Sequence, residues 1–242
     1  MRDDDRLPRG AHPPPVLLLP GGVAAAEGFF PGLAEGLRAD PGCAVVTRDR
    51  PGTGSHPQDG RLADAAAGLA ALVARGRQGP VVVVGQSLGG AVALLLAVEH
   101  PEAVAGLVLL DPTPLDDVAA CAAIEGALAL RARLAALPGP HAARGENAAR
   151  GADAVRLHGA VRGLARASAR FRAARLPSVP AVVVTADRPP RSGLARSHRR
   201  LATALDAPLL CWPGAGHDLH VSHPVDTLAA VRDVLARCGA TP

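Results

Sequence analysis

Four consecutive valines lead directly into a serine flanked by glycines, and this stretch constrains the fold more than any other part of the chain. Residues 81–84 are all valine, and no polar residue alternates with them. Because β-branched side chains fit a pleated sheet, the run predicts a strand that is buried on both faces. The pattern Gly85-Gln86-Ser87-Leu88-Gly89 follows, and an apolar run of good helix formers comes next, from Ala91 to Val98. The sequence therefore predicts a strand, a tight turn and a helix in that order.

The predicted turn gives Ser87 the features that a nucleophilic serine needs. A sharp turn between strand and helix lifts the hydroxyl above the sheet, and neighbouring glycines let backbone pass close to it. The amide of Leu88 would lie at a helix N-terminus, which favours negative charge. A serine that only caps the helix is the alternative interpretation, and the strand and helix around the motif favour the nucleophile.

Composition narrows the possible partners. The chain has 242 residues and a net charge of +4, but its arginines are spread along the sequence and aromatic residues make up only 2%. Such a chain offers no basic stripe and no stacking platform, so we expect no nucleic-acid partner. No apolar run approaches the roughly 18 residues of a membrane span, so we expect a soluble protein without a membrane partner.

The cysteines and the N-terminus indicate the compartment. Four cysteines lie at positions 43, 121, 211 and 238, without any paired Cys-x-x-Cys spacing. We therefore expect buried or reduced thiols, no metal site and no cofactor. Residues 1–15 are charged and rich in proline, which indicates a poorly ordered arm and does not resemble a signal peptide. These features predict a cytoplasmic protein.

Short apolar runs alternate with helical patterns along most of the chain, which predicts an α/β fold with a parallel sheet covered on both faces. From about residue 115 to 176 no strand is predicted, and helical segments broken by Pro138-Gly139-Pro140 take its place. We interpret the chain as a single domain, 1–242, with a helical insertion at about 115–176 that lies over the carboxyl ends of the strands. The predicted strands lie at residues 16–19, 43–47, 81–84, 106–110, 181–185 and 209–212.

A serine nucleophile needs a base, and three histidines near the C-terminus are candidates. His217 follows the last predicted strand in a glycine-rich loop, a position that active-site residues favour. His220 and His223 are close by, but His223 directly precedes Pro224 at the start of the last helix, where a capping or surface role explains it. His217 is the predicted base.

The base in turn needs an acid that fixes its tautomer, and two aspartates follow predicted strands. Asp111 comes after the strand at 106–110, and Asp187 comes after the strand at 181–185. Either gives the chain order Ser, Asp, His of a nucleophile-elbow triad. An aspartate before a proline is a common turn former, which weakens Asp111. Asp187 is the preferred acid, and Asp111 remains the alternative.

These motifs together resemble the α/β-hydrolase family over nearly the whole chain. The segments that carry the resemblance are Leu18-Leu19-Pro20-Gly21-Gly22, Asp49-Arg50-Pro51-Gly52-Thr53-Gly54, Gly85-Gln86-Ser87-Leu88-Gly89-Gly90, Ala186-Asp187, and Gly214-Ala215-Gly216-His217 with His220 and Pro224. The resemblance implies an α/β-hydrolase fold of about six mostly parallel strands flanked by helices, with a helical lid insertion and a truncated N-terminal hairpin. It implies Ser87 as nucleophile, His217 as base and Asp187 as acid.

The resemblance also implies an oxyanion hole made by the backbone amides of Gly22 and Leu88. Where the family commonly has His-Gly, this chain has Pro20-Gly21, so one ordering side chain is lost while the Gly22 amide remains. The implied reaction is hydrolysis of a small-molecule ester or thioester through an acyl-enzyme on Ser87. We expect an apolar substrate pocket, with contacts from Val23, Phe29, Phe30, Leu115 and Leu219.

Other functions remain open at this stage. The same scaffold hosts carbon–carbon bond hydrolases and cofactor-free haloperoxidase-like enzymes, and a non-catalytic ligand-binding protein is a further alternative. Arginines at 162, 166 and 170 recur every four residues. They would suit an anionic substrate, but this spacing is also that of a solvated helix face, which we favour.

Overall fold

The structure is a computed structural model that describes residues 13–47, 49, 62–76, 79–135 and 146–240. Most of the predicted N-terminal arm, most of the loop that begins at Asp49 and the break at 138–140 lie outside these residues. Within them there are six strands: β1 (Val16–Leu19), β2 (Val45–Thr47), β3 (Val81–Gln86), β4 (Val104–Leu110), β5 (Ala181–Thr185) and β6 (Leu209–Cys211). They form one parallel sheet in the order β2-β1-β3-β4-β5-β6.

Helices follow the strands in the alternating order that the sequence predicted. They are α1 (Leu33–Ala39), α2 (Leu62–Gly76), α3 (Leu88–Glu99), α4 (Val118–Ala135), α5 (Glu146–Val161), α6 (Leu164–Arg170), α7 (Gly193–Ala204), α8 (Leu219–Ser222) and α9 (Pro224–Gly239). Helices α4, α5 and α6 stand between β4 and β5 and form the expected insertion; we call them the cap helices. The predicted fold class is therefore confirmed.

Alternate residues of the strands build two separate cores. Leu17, Val83 and Leu109 belong to a cluster with α2, α3 and α7, whereas Val84 and Val108 belong to a cluster with α1 and α9. Because successive side chains of a strand point to opposite faces, a sheet covered on both faces needs apolar residues at every position. This requirement explains why the valine run shows no alternation.

Helix α3 is apolar all round because it is covered all round. Every residue from Leu88 to Ala97 is buried, and α2 packs against it on one side while β3 and β4 lie on another. A helix that is hydrophobic on every face belongs in the centre of a domain. The element that begins directly after Ser87 is thus one of the most firmly enclosed in the chain.

Polar contacts tie the cap helices to one another and to the sheet. Glu125 of α4 accepts hydrogen bonds from the backbone N–H groups of Gly163 at 2.8 Å and Ala165 at 3.1 Å, at the start of α6. The buried Ser168 hydroxyl donates to the Leu115 carbonyl at 2.7 Å. In the part of the chain that the structure describes, no helix has the length and apolar character needed to cross a bilayer.

Candidate active site

Ser87 lies at a strained turn between β3 and α3. Its backbone has φ 51° and ψ −116°, a region that residues other than glycine seldom adopt. Close backbone approach makes the turn possible: a Cβ added to Gly89 would lie 2.1 Å from the Leu19 carbonyl oxygen. The glycine of the motif is therefore required where the helix start meets the end of β1, and Ser87 is held with its side chain at the carboxyl edge of the sheet.

His217 is the histidine that the structure brings to Ser87. Its Nε2 lies 3.0 Å from the Ser87 hydroxyl oxygen, and its carbonyl accepts a hydrogen bond of 3.0 Å from the buried Gln86 amide. His220 is 3% exposed and stacks on Phe29, with ring centroids 4.5 Å apart. His223 pairs with the Ser222 hydroxyl at 2.8 Å. Of the three predicted candidates, His217 has the geometry of a base for Ser87.

The carboxylate that meets His217 is that of Asp111, which corrects the preference for Asp187. Oδ2 of Asp111 lies 2.6 Å from His217 Nδ1, and the Asp111 side chain is 1% exposed. Asp111 follows β4, which pairs directly with the strand that carries Ser87, and a φ of 45° turns its backbone sharply at that point. Asp111-Pro112 therefore forms a turn, as its sequence suggests, and this turn directs the Asp111 carboxylate toward His217.

Asp187 anchors the loop that carries His217. Its Oδ2 accepts a hydrogen bond of 2.9 Å from the Gly214 N–H, and its own N–H donates to the Ala215 carbonyl at 2.7 Å. These bonds fix the backbone two and three residues before His217. The two aspartates after neighbouring strands therefore have different partners, one the imidazole and the other the loop.

Two further donors hold the Asp111 carboxylate, and sequence reasoning identified neither. Oδ1 accepts the Ala186 N–H at 3.0 Å, and Oδ2 accepts Arg188 Nη2 at 2.5 Å. The imidazole of His198, 0% exposed, lies 3.7 Å from Oδ1. No sequence pattern marks Arg188 as part of this site, because its contact depends on β4 and β5 being neighbours in the sheet.

The pKa values of Asp111 and of the histidines near it reflect these hydrogen bonds and charges. Burial alone would raise the pKa of Asp111, but the hydrogen bond from His217, the Ala186 amide and the charge of Arg188 outweigh burial and hold that pKa below its usual value. The hydrogen bond to Asp111 raises the pKa of His217, against the opposing effect of burial. Burial lowers the pKa of His198 and of His220. Asp111 is therefore a carboxylate that favours a positively charged His217.

A cavity of about 930 Å³ opens over Ser87. Gly21, Gly22 and Leu88 line it beside the serine, and the cap helices form much of the opposite wall. The apolar lining residues are Val23, Ala24, Ala25, Phe29, Ile124, Leu128, Ala154, Leu157, Val161 and Leu164. The charged lining residues are Arg131, Asp153, Arg156 and Asp218. The volume suits a small organic ligand held mainly by apolar contacts.

The sequence profile of the alpha/beta hydrolase family matches residues 16–231. The chain belongs to the alpha/beta hydrolase family. Lipase LipV of Mycobacterium tuberculosis is 64% identical over 44 residues, which are 18% of this chain and 17% of that lipase. The likeness to LipV is therefore confined to a short stretch of both proteins.

Solved structures of other proteins share the fold of this α/β-hydrolase. A putative non-heme bromoperoxidase, BpoC from Mycobacterium tuberculosis, superposes with a TM-score of 0.73 at 23% identity, covering 93% of this chain and 92% of that one. A thermophilic esterase from Thermogutta terrifontis superposes with a TM-score of 0.67 at 20% identity, covering 95% and 92%. At these identities the likeness establishes the fold alone.

The α/β-hydrolase cavity includes part of the predicted substrate-binding set. Val23 and Phe29 line it. Phe30, Leu115 and Leu219 do not line it; they pack in the two cores at 5%, 1% and 0% exposure. Proximity in sequence to the site did not reveal which way these side chains point.

Gly21 brings the loop after β1 against Ser87. A Cβ added to Gly21 would lie 2.0 Å from Gln86 Oε1 and 3.0 Å from the Ser87 Cβ. Gly22 follows with φ 53° and lines the cavity, as does Leu88 at the start of α3. Leu88 is in the first turn of α3, where backbone N–H groups lack partners within the helix, and Gly22 lies beside it at the cavity wall.

The three regularly spaced arginines of the insertion lie outside the cavity over Ser87. Arg162, Arg166 and Arg170 line a separate concavity together with Asp64 and Glu99, and none of the three lines the cavity over Ser87. Among the described residues no three His, Cys, Asp or Glu side chains are arranged to hold a metal ion.

Proposed function

We propose that this α/β-hydrolase cleaves a small-molecule ester or thioester through an acyl-enzyme on Ser87. The observation that carries the proposal is the continuous chain of hydrogen bonds from Ser87 through His217 to Asp111 at the floor of an apolar cavity. A hydroxyl, an imidazole and a buried carboxylate in this order make a serine nucleophilic at neutral pH.

The first half of the proposed reaction transfers the acyl group to the enzyme. With Nδ1–H of His217 donating to Asp111, Nε2 is free to accept the Ser87 proton as Oγ attacks the carbonyl carbon. The amides of Gly22 and Leu88 are the proposed donors to the oxyanion that forms. Collapse of this intermediate breaks the bond to the leaving group, which takes the proton from His217 and departs as an alcohol or a thiol.

The second half returns the enzyme to its starting state. A water molecule gives a proton to His217 Nε2 and attacks the acyl carbon, and the second tetrahedral intermediate expels Ser87, which regains the proton. The net change is one water consumed, with one carboxylic acid and one alcohol or thiol released. The same histidine acts as base and then as acid in each half.

The walls of the cavity favour an apolar acyl group. Its sides come from Phe29, from Ile124 and Leu128 one turn apart on α4, and from Leu157 on α5. Apolar surface of this kind contributes roughly 25 cal/mol for each Å² that a ligand removes from water. We therefore propose that the acyl chain lies between the loop after β1 and the cap helices.

Covalent labelling with a fluorophosphonate tests the nucleophile. The reagent bonds to an activated serine oxygen with loss of fluoride, so the wild-type protein is expected to gain one label and Ser87→Ala none. Ser222→Ala is the matched control and should still gain one label, because the Ser222 hydroxyl also bonds a histidine but lies in an exposed pair at the end of α8. Absence of labelling in the wild-type protein would refute the proposal.

Turnover of matched substrates tests the reaction class. We expect hydrolysis of p-nitrophenyl esters and of acyl thioesters of the same chain length, with loss of both activities in Ser87→Ala and His217→Ala. Labelling of Ser87 without turnover of either class would favour the carbon–carbon hydrolase or haloperoxidase-like alternatives. Tight binding of an ester without labelling or turnover would favour a ligand-binding role.

A further inference from the structure

One oxygen of the buried acid receives two donors. Oδ2 of Asp111 lies 2.6 Å from His217 Nδ1 and 2.5 Å from Arg188 Nη2. The Arg188 side chain is 16% exposed, and the Asp111 side chain is 1% exposed. A Ser–His–Asp mechanism needs one acceptor for Nδ1–H and assigns no role to a second cation. The mechanism therefore does not account for the Arg188 guanidinium on Oδ2.

The geometry indicates a positional effect first. Arg188 holds Oδ2 from the side of β5, while the Ala186 N–H holds Oδ1. Both oxygens of the carboxylate are thus fixed by groups other than the histidine. Because the plane of the carboxylate is set in advance, Nδ1 of His217 meets an acceptor that does not have to reorient when the imidazole becomes charged.

Charge is the second effect. A buried, unaccompanied carboxylate beside an imidazole strongly favours the imidazolium, and an imidazolium cannot accept the serine proton. A guanidinium is always charged, and it here shares the oxygen that binds His217. Its positive charge opposes the protonation of His217 and so offsets part of the rise in the pKa of that histidine that Asp111 causes.

We propose that Arg188 is a positioning residue that fixes the Asp111 carboxylate and offsets part of its charge, so that more of His217 is neutral and able to accept the Ser87 proton near neutral pH than the carboxylate alone would allow. The inference rests on the proposed function for its effect on rate. It does not depend on that function for its effect on the protonation of His217.

Other ionisable groups face the same histidine and its partner. Asp218 and His220 follow His217 in the chain, and His198 of α7 faces Oδ1 of Asp111. Burial lowers the pKa of both His198 and His220, so these two favour the neutral form. Arg188 is therefore the permanent cation within this set of described groups.

Three substitutions separate charge from hydrogen bonding. Arg188→Gln keeps a donor but removes the charge, Arg188→Met removes both, and Arg188→Lys keeps the charge. We expect the acid limb of kcat/KM for ester hydrolysis to move to higher pH in the Gln and Met variants and to stay near the wild-type position in the Lys variant. At pH 6 the rate relative to each enzyme's plateau should fall roughly three- to tenfold further in Arg188→Gln than in the wild-type protein.

Arg200→Gln is the matched control. Arg200 Nε binds Asp116 at 2.7 Å and is 52% exposed, so it forms an Arg–Asp pair that does not contact His217. We expect its acid limb to match that of the wild-type protein. An equal loss of rate at every pH in Arg188→Gln, with the limb unmoved, would overturn the proposal, as would a shift in Arg188→Lys as large as that in Arg188→Gln.

Titration of His217 by NMR supplies a readout that does not need turnover. The imidazole signal is assigned by its loss in His217→Gln, and its midpoint should be higher in Arg188→Gln than in the wild-type protein or Arg188→Lys. If no ester is hydrolysed, the proposed function fails while this titration still decides the role of Arg188. Thermal unfolding of each variant identifies any that does not fold. If Arg188→Met does not fold, the comparison of Arg188→Gln with Arg188→Lys is sufficient.

Discussion

The Asp111 carboxylate is the most informative single group to alter, and Asp111→Asn is the smallest change. Asp111 has two oxygens and three close donors, from Ala186, Arg188 and His217. An asparagine amide has one oxygen and one NH₂ group, so its NH₂ group must face at least one of the N–H donors that a carboxylate oxygen had bound. Either orientation of the amide therefore breaks the network, and the two orientations have different costs.

The first orientation keeps the oxygen on the Ala186 N–H and turns the NH₂ group toward His217 and Arg188. The amide then donates to Nδ1, so the proton of a neutral imidazole lies on Nε2. A protonated Nε2 cannot accept the proton of the Ser87 hydroxyl. This tautomer change costs Ser–His–Asp enzymes about 10⁴ in kcat. The second orientation keeps the correct tautomer but sets the NH₂ group against the Ala186 N–H, and an unsatisfied buried donor costs about 1–3 kcal/mol.

The two cases bound the expected effect of Asp111→Asn. We expect kcat for a p-nitrophenyl ester to fall by between about 10-fold and 10⁴-fold. Asp187→Asn is the matched variant: its side chain accepts one hydrogen bond from Gly214, and an amide oxygen accepts the same bond. We expect a loss of less than about threefold there, because changes of this kind usually alter stability by no more than about 0.5 kcal/mol.

Steady-state kinetics on variants whose folding has been checked by thermal unfolding provide the assay. The site geometry requires the larger loss in Asp111→Asn. A loss in Asp187→Asn equal to or greater than that in Asp111→Asn would refute the reasoning and return the role of acid to Asp187.

Two further predictions concern pH and stability. Because the hydrogen bond to Asp111 raises the pKa of His217, kcat/KM of the wild-type enzyme should fall as pH falls through a midpoint above the ordinary histidine value of about 6.5, and a pH profile with a midpoint below that value would contradict it. In urea unfolding, Gly89→Ala should destabilise the protein by more than about 3 kcal/mol, because the new Cβ would lie 2.1 Å from the Leu19 carbonyl oxygen. A Cβ at Gly126 in α4 meets nothing within 4 Å, so Gly126→Ala should stabilise the protein by about 0.5–1 kcal/mol. Equal effects at the two sites would be inconsistent with these contacts.

The fold was predictable because its signals are local. The valine run, the Gly-flanked Ser87 and the alternation of strands and helices each depend on residues close in sequence, and the family match confirms what they imply together. The position of His217 after the last strand was likewise a local signal. The structure places this histidine 3.0 Å from the Ser87 hydroxyl.

The acid and the pocket lining depended on information that is not local. Asp111 and Asp187 both follow strands and both precede turns, so their sequence contexts do not distinguish them. What separates them is the sheet order, which sets β4 beside β3, and the sharp backbone turn at Asp111. The sequence predicts Leu115 as a substrate contact, yet Leu115 is 1% exposed and packs in the core. Direction of a side chain is a tertiary property.

The end of β4 determines the positions of both the nucleophile and the acid. The Ser87 N–H donates to the Leu110 carbonyl at 3.0 Å, and the Ser87 carbonyl accepts from the Thr113 N–H at 3.0 Å. Leu110 and Thr113 flank Asp111 on either side, so the strained turn at Ser87 and the sharp turn at Asp111 brace each other. Strained backbone persists where its surroundings over-determine it. An acid at this position therefore moves with the nucleophile, whereas Asp187 moves with the loop that brings His217 to them.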